Sequence, residues 1–276
     1  MRRTRRHRVV RMNLDGTSRG RSDVLAGEEP MELRVDGRAW TVTMRTPGED
    51  FDLALGFLVS EGVVWEADHV AAVGYGPGVN ADGTLSYNVV DVRLAAGVAP
   101  PDSSHERHVY TSSSCGICGT ASIDAVTRAS RFPLADDVRV PLAELLAMTE
   151  RLRERQRLFA DTGGVHAAAL FRLDDAGRAE LVCLREDVGR HNAVDKVVGW
   201  ALRERGLPLR RCVLQVSGRA SFELVQKAHM AGIAVLAAVS APSAMSVDLA
   251  TEVGMTLVGF SRGDSANVYA GAERIV

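Results

Sequence analysis

The chain has 276 residues, 46% of them hydrophobic and 25% charged, with a formal net charge of −2. That is the balance of a globular protein with one large core or two modest ones. A near-neutral total gives no bulk electrostatic case for nucleic acid. No apolar run approaches the roughly 18 residues that span a membrane.

The first 27 residues are rich in arginine (Arg2, Arg3, Arg5, Arg6, Arg8, Arg11). No apolar segment follows them, so they do not form a secretion signal. Their weak apolar periodicity predicts a basic, disordered tail. Residues 28–104 read as a smaller β-rich subdomain. Met31–Val35 and Arg38–Met44 flank Asp36-Gly37, a two-residue hairpin signal. Asp50–Val59 places Leu53, Ala54, Phe57 and Leu58 on one helical face. Leu85, Tyr87 and Val89 alternate as a strand does. Ala95–Ser104, with Gly97, Pro100 and Pro101, reads as a loose connection and a subdomain boundary.

Residues 105–140 hold the run Ser112-Ser113-Ser114-Cys115-Gly116-Ile117-Cys118-Gly119. A short β-like stretch (His108–Thr111) precedes it and a helix-like stretch (Thr120–Ser130) follows. Such a context sets both sulfurs near a helix N-terminus, where a thiolate is favoured over a thiol. A pair of cysteines without a secretion signal points to metal or redox chemistry in the cytoplasm rather than to a structural disulfide. Cys183 and Cys212 sit in apolar runs and read as core residues.

Residues 141–276 alternate regularly. Leu142, Leu145, Leu146 and Leu152 mark a helix. Val165–Leu173 and Glu180–Leu184 form a hairpin around Asp174-Asp175-Ala176-Gly177. A helix through Val194, Val197, Val198, Ala201 and Leu202 ends at Gly206. Strand Cys212–Val216, helix Ser221–Ala231, strand Ile233–Val239, helix Ser243–Val253 and strand Met255–Phe260 complete the series. A hairpin feeding parallel β-α-β units predicts a three-layer α/β/α domain with a mixed sheet, in an order that fits the cytidine-deaminase-like fold.

Ligands of open α/β sheets bind beyond the carboxyl ends of the strands. The loops there are Asp187–Asn192, Ser217–Ser221, Ser240–Ser243 and Ser261–Ser265, rich in glycine, hydroxyls and arginine. Backbone N–H groups with serine and arginine suit phosphate. Asp187, Asp195 and Asp264 are candidates to pair a guanine edge. The plainer reading of Asp195 and Lys196 is a solvated helix face with a local salt bridge. His166 is balanced between a structural and a pocket role. Only Lys196 and Lys227 are lysines, which singles both out.

A zinc deaminase needs His-x-Glu and then Pro-Cys-x-x-Cys at two helix N-termini. The corresponding places here read Arg190-His191-Asn192-Ala193 and Ser217-Gly218-Arg219-Ala220-Ser221. They lack both the glutamate and the cysteines. One cysteine pair cannot by itself complete a tetrahedral zinc site, so the chain is expected to hold no zinc. A sulfur nucleophile beside an anion-binding domain remains.

Several ordered motifs resemble those of the FdhD proteins, formate dehydrogenase accessory sulfurtransferases. They are Thr46-Pro47-Gly48, Ala54-Leu55-Gly56-Phe57-Leu58-Val59-Ser60-Glu61-Gly62, Ser114–Gly119, Gly164-Val165-His166-Ala167-Ala168-Ala169, Glu186–Lys196, Ser217–Lys227 and Leu257–Arg262. The similarity runs from about residue 28 to the C-terminus and leaves out the basic tail. The resemblance implies a homodimer that takes sulfane sulfur from a cysteine desulfurase as a persulfide on Cys115. Cys118 would be auxiliary. The sulfur would pass to molybdenum bis(molybdopterin guanine dinucleotide), destined for the catalytic subunit of formate dehydrogenase. The cofactor segment maps onto Phe260, Ser261, Arg262, Gly263, Asp264 and Ser265. Arg190, His191, Ser217, Gly218 and Arg219 are weaker candidates, and GDP is the expected mimic. The alternative is a chaperone that binds the cofactor without moving sulfur.

Overall fold

The computed structural model of the chain describes residues 2–78, 87–101, 129–134 and 137–276. A six-stranded mixed sheet, in the order β12-β11-β10-β9-β7-β8, forms the centre. Its strands are β7 (His166–Leu173), β8 (Ala179–Asp187), β9 (Cys212–Val216), β10 (Val235–Ala238), β11 (Thr256–Arg262) and β12 (Ser265–Ala270). β9, β10 and β11 run parallel. β7 is antiparallel to both β8 and β9, so β8 points the same way as the parallel set. This is the expected three-layer α/β/α domain with one addition. The segment after β11 turns back as β12, antiparallel to β11, rather than ending the sheet.

The sheet separates two apolar layers. On one side Ala167, Ala169, Phe171, Val213, Val235 and Val258 pack with Leu145, Met148 and Leu152 of α2 (Leu142–Arg155). The alternate residues Ala168, Leu170, Leu214, Leu236 and Leu257 face the other way. They pack with α4 (Arg190–Glu204), α5 (Phe222–Met230) and α6 (Ala244–Glu252). This is the period-2 split of a sheet buried on both faces. Cys183 and Cys212 are buried and not joined in a disulfide, and burial pushes the Cys183 thiol up to about 12.

The expected hairpin of residues 31–44 is present as β3 (Glu29–Val35) and β4 (Arg38–Arg45). Asp36 and Gly37 both have positive φ, the requirement of a two-residue turn of this kind. With β5 (Val70–Tyr75) and β6 (Val89–Leu94) they make a four-stranded sheet, order β4-β3-β6-β5. The core does not divide at residues 95–104. Met31, Leu33, Val90 and Val92 belong to the same apolar cluster as Leu214 and Leu236. The bridge is α1 (Asp50–Ser60), which lies along α4. Glycines allow the close approach. A Cβ on Gly56 would overlap the Asp195 carbonyl, and one on Gly199 would overlap the Asp52 carbonyl.

Residues 1–27, expected to be disordered, form an antiparallel arm of β1 (Thr4–Met12) and β2 (Ser18–Ala26). The turn explains the order. Asp15 accepts from the Thr17 N–H (2.9 Å) and hydroxyl (2.6 Å), and Gly16 takes φ +80°. The Asn13 side chain donates to Thr17 Oγ1 at 2.9 Å. This turn chemistry and the β-branched residues Val9, Val10 and Val24 outweigh the charge that suggested solvation.

Candidate functional site

The four polar loops do converge. They follow β8, β9, β10 and β11 at one edge of the sheet, where β7 begins. Backbone and hydroxyl bonds stitch them together. The Ala167 N–H donates to Ser217 Oγ at 2.8 Å, and the Ser217 N–H donates to the Ala167 carbonyl at 2.9 Å. The Ser243 N–H donates to the Ala220 carbonyl at 3.0 Å, and the Phe260 N–H to the Ser240 carbonyl at 3.3 Å. Ala220 and Pro242 form an isolated bridge between the second and third loops. The loops are thereby fixed relative to one another.

Arg190 and His191 are the first two residues of α4, and Ser221 immediately precedes α5, so two helix N-termini meet here. Both favour negative charge. His191 Nε2 lies 2.7 Å from Glu223 Oε2 and 3.2 Å from Ser221 Oγ. His166 opens β7 and stands over Gly218, where a Cβ would lie 3.3 Å from its Nδ1. Burial pushes the His166 imidazole below its ordinary value. The positive charges of Arg190, His191 and Arg219 act in the same direction, against Asp187. Arg190, His191 and Arg219 therefore lie within electrostatic reach of His166, although burial is the larger cause of its depression. Arg219 is exposed at its rim.

The segment 260–265 is the end of β11, the turn and the start of β12. Phe260 takes φ +51°, a left-handed conformation unusual for a side chain of its size. Pairing is irregular between Gly259 and Arg262, and the Arg262 guanidinium lies 5.8 Å from the centre of the Phe260 ring. Arg262, Gly263, Asp264 and Ser265 are exposed. Ser261 is not. It is fully buried, and its carbonyl accepts from the Thr149 hydroxyl at 2.9 Å. Ser261 therefore anchors the segment to α2 and does not face a ligand.

Two of the three candidate base-reading carboxylates are committed elsewhere. Asp187 is fully buried, 2.8 Å from Lys196 Nζ, and accepts from the N–H groups of Thr46 and Gly189 and from the Asn192 amide. Asp195 is buried and takes Lys227 Nζ at 2.8 Å on both oxygens, with the Ser60 hydroxyl also at 2.8 Å. Asp264 alone of the three is exposed. Asp195 and Lys196 are thus not a solvated face. They lock α4 to α5, to α1 and, through the Thr46 carbonyl at 2.9 Å, to the segment after β4. The two lysines that stood out in the composition are both spent on these buried pairs. Sequence reasoning did not single out Thr46 itself, Thr149 or Glu223, because their partners are distant in the chain.

Cys115 and Cys118 lie outside the described residues. Among the described residues, no group of three or more His, Cys, Asp or Glu is placed to hold a metal ion. No described helix is long and apolar enough to cross a membrane.

Fold and loops together define an α/β protein with a cluster of polar, arginine-bearing loops at the carboxyl ends of the strands of a mixed sheet. The chain belongs to the FdhD/NarQ family, whose model matches residues 26–276. A Streptomyces coelicolor relative, named sulfur carrier protein FdhD, is 58% identical over 274 residues, covering 99% of this chain and 95% of its own. The Mycobacterium tuberculosis protein of the same name is 57% identical over 259 residues, 92% of each chain. The first similarity takes in nearly all of the basic N-terminal segment, which the resemblance had left out. A Desulfotalea psychrophila crystal structure, described as a candidate formate dehydrogenase accessory protein, matches the fold over 100% of both chains with a TM-score of 0.77 at 24% identity.

Proposed function

We propose that this chain is a sulfur carrier that serves formate dehydrogenase. A persulfide on a cysteine desulfurase would be attacked at its outer sulfur by the Cys115 thiolate. The sulfur–sulfur bond to the donor breaks, a new one forms on Cys115, and the donor leaves as a thiolate. The sulfur–sulfur bond on Cys115 would then break, with Cys115 leaving as a thiolate and the sulfane atom taken up by the molybdenum bis(molybdopterin guanine dinucleotide) substrate at the strand-end site, which supplies the electron pair for the new bond. Cys118 is auxiliary, and the protein acts as a sulfurtransferase in the cytoplasm.

The observation that carries this reading is the convergence of the four polar loops and two helix N-termini at that edge, with Arg190 and Arg219 close to His166. It suits the phosphates of a nucleotide end. Arg219, Arg262 and the loop N–H groups at Gly218 and Gly263 would meet those phosphates, and Asp264 remains for the base. The sulfur-carrier name of relatives above 50% identity supports the transfer half.

Complementation tests the reading. In a bacterium lacking its own family member, this chain restores formate dehydrogenase activity and Cys115→Ala does not. Restoration by Cys115→Ala would leave only the chaperone role.

A further inference from the structure

The joint between α2 and α3 (Arg157–Thr162) carries two cations that the rest of the molecule leaves unanswered. Arg155 ends α2, Arg157 begins α3, and Gln156 between them leaves the helical path at ψ 79°. Neither arginine makes an ion pair or a side-chain hydrogen bond among the described residues. Exposed arginines at a helix end are ordinarily solvated. These two line a cavity of about 330 Å³, and its other walls single them out.

The cavity lies beside the root of the β1–β2 arm. Arg3 and Thr4 come from that root and Arg185 from β8. Four arginines from three parts of the chain, far apart in sequence, thus line one space. The walls are held in place. The Gly27 N–H donates to the Arg3 carbonyl at 2.7 Å, and β2 touches α3.

Three carboxylates share the lining, and two of them are committed. Glu186 accepts from the N–H groups of Leu158 and Phe159 at 2.9 and 2.8 Å. Glu49 takes Arg3 at 3.2 Å. Arg185 is turned to Asp52, outside the cavity, at 3.0 Å. Only Asp161, exposed and a turn further along α3, is left against Arg155 and Arg157. The wall therefore keeps a positive surplus, and an anion between the guanidinium groups would relieve their repulsion. Glu186 already satisfies the start of α3, so arginine and not the helix end would recognise that anion.

Guanidinium forks match the oxygens of a phosphate group, and Thr4 is the hydroxyl-bearing residue of the lining. The volume exceeds that of a bare phosphate ion and falls at the low end of small-molecule sites. Leu158 and Leu184 give it an apolar wall.

We propose that this cavity binds the phosphate group of a small soluble phosphomonoester between Arg155 and Arg157, with Leu158 and Leu184 against its organic part. Bound there, the anion ties the arm root to α3. The cavity shares no residue with the four strand-end loops. The proposal goes beyond sulfur transfer and does not depend on it.

Calorimetry of the full chain tests it, with inorganic phosphate and ribose 5-phosphate as probes, in the absence of GDP and with GDP present to occupy the strand-end loops. Both probes bind saturably with GDP present, and Arg155→Gln with Arg157→Gln, on exposed positions, weakens both by at least about tenfold. GDP affinity is unchanged in that variant. Arg153→Gln, at an exposed position of α2 outside the cavity, leaves probe binding as it was. Absence of saturable binding, or an equal loss in Arg153→Gln, would overturn the proposal. So would succinate binding as tightly as phosphate, since the cavity would then take dicarboxylates, or a fall in GDP affinity in Arg155→Gln/Arg157→Gln. Capture of phosphatidylglycerol vesicles that this variant abolishes, without ribose 5-phosphate binding, would overturn it in favour of a lipid headgroup. Failure of GDP to bind at all is read from its own titration and leaves the probe titrations to decide.

Discussion

Lys196→Met isolates the buried pair that ties the strand-end loops to the N-terminal half. Lys196 Nζ and the Asp187 carboxylate are 2.8 Å apart and both fully buried. The substitution keeps the length of the side chain and removes its charge. Asp187 is left without its counter-ion, and the Thr46 carbonyl loses its 2.9 Å donor. Removing one partner of a buried pair costs about 3–5 kcal/mol. Asp187 keeps the Thr46, Gly189 and Asn192 donors, so the loss belongs at the low end, about 3 kcal/mol. For a chain of this size that lowers the melting temperature by about 6–12 °C. Urea and thermal unfolding followed by circular dichroism measure it. Arg178→Ala, which breaks the exposed Arg178–Asp174 pair, is the control, with little or no change because solvent screens that pair. Adding Asp187→Asn to Lys196→Met costs less than the sum of the two, because the pair couples them. A Lys196→Met loss no larger than that of Arg178→Ala would refute the reasoning, since water would then be reaching the pair.

Three other outcomes follow from the same geometry. Gly56→Ala improves helix propensity by up to about 1 kcal/mol, yet the chain loses stability in urea, because the new methyl group collides with the Asp195 carbonyl; a stabilised variant would mean that α1 and α4 are further apart. His166 is neutral in the folded chain at pH values where an unfolded histidine, near 6.5, already takes a proton. Stability is therefore complete above that value and declines as pH falls below it, and His166→Gln reduces the decline. His229, also lowered by burial, retains its own share. GDP, by adding negative charge, raises the His166 titration in NMR, and an unmoved resonance would separate the ligand from this edge. In calorimetry with GDP, Arg219→Ala and Arg262→Ala each lose a charge-assisted contact of about 1.5–3 kcal/mol, roughly ten- to a hundredfold in affinity; an unchanged affinity removes that arginine from the site.

The alternation of the second half of the chain was readable because buried parallel strands and their helices leave short apolar runs separated by glycine and serine. The loops Asp187–Asn192 and Ser217–Ser221 could be placed for the same reason, since topology alone sets them at one edge. What periodicity does not encode is which polar residues are buried. Asp187 and Asp195 sit in a polar, glycine-containing motif and read as surface groups; Lys196, the partner of Asp187, closes the same motif, but Lys227, the partner of Asp195, lies in another that only packing brings near. The Gly56 and Gly199 contacts are equally silent, because a glycine within a helix looks like a weakness until the neighbouring backbone is seen. β5 carries only Val70, Val73 and Tyr75 as strand-forming side chains, too few to mark it. The arm misled in the other direction, because eight arginines outweighed the Asp15-Gly16 turn that orders it. β12 was missed because Arg262-Gly263-Asp264-Ser265 reads as a loop end and is instead the turn of a hairpin.

The central claim is that sulfur travels on Cys115. Intact-protein mass measurement after incubation with a cysteine desulfurase and cysteine tests it most directly. The account predicts a gain of about 32 Da, one sulfur atom as a persulfide, that a reductant removes and that Cys115→Ala abolishes. A gain that persists in Cys115→Ala, with formate dehydrogenase activated as usual, would contradict it.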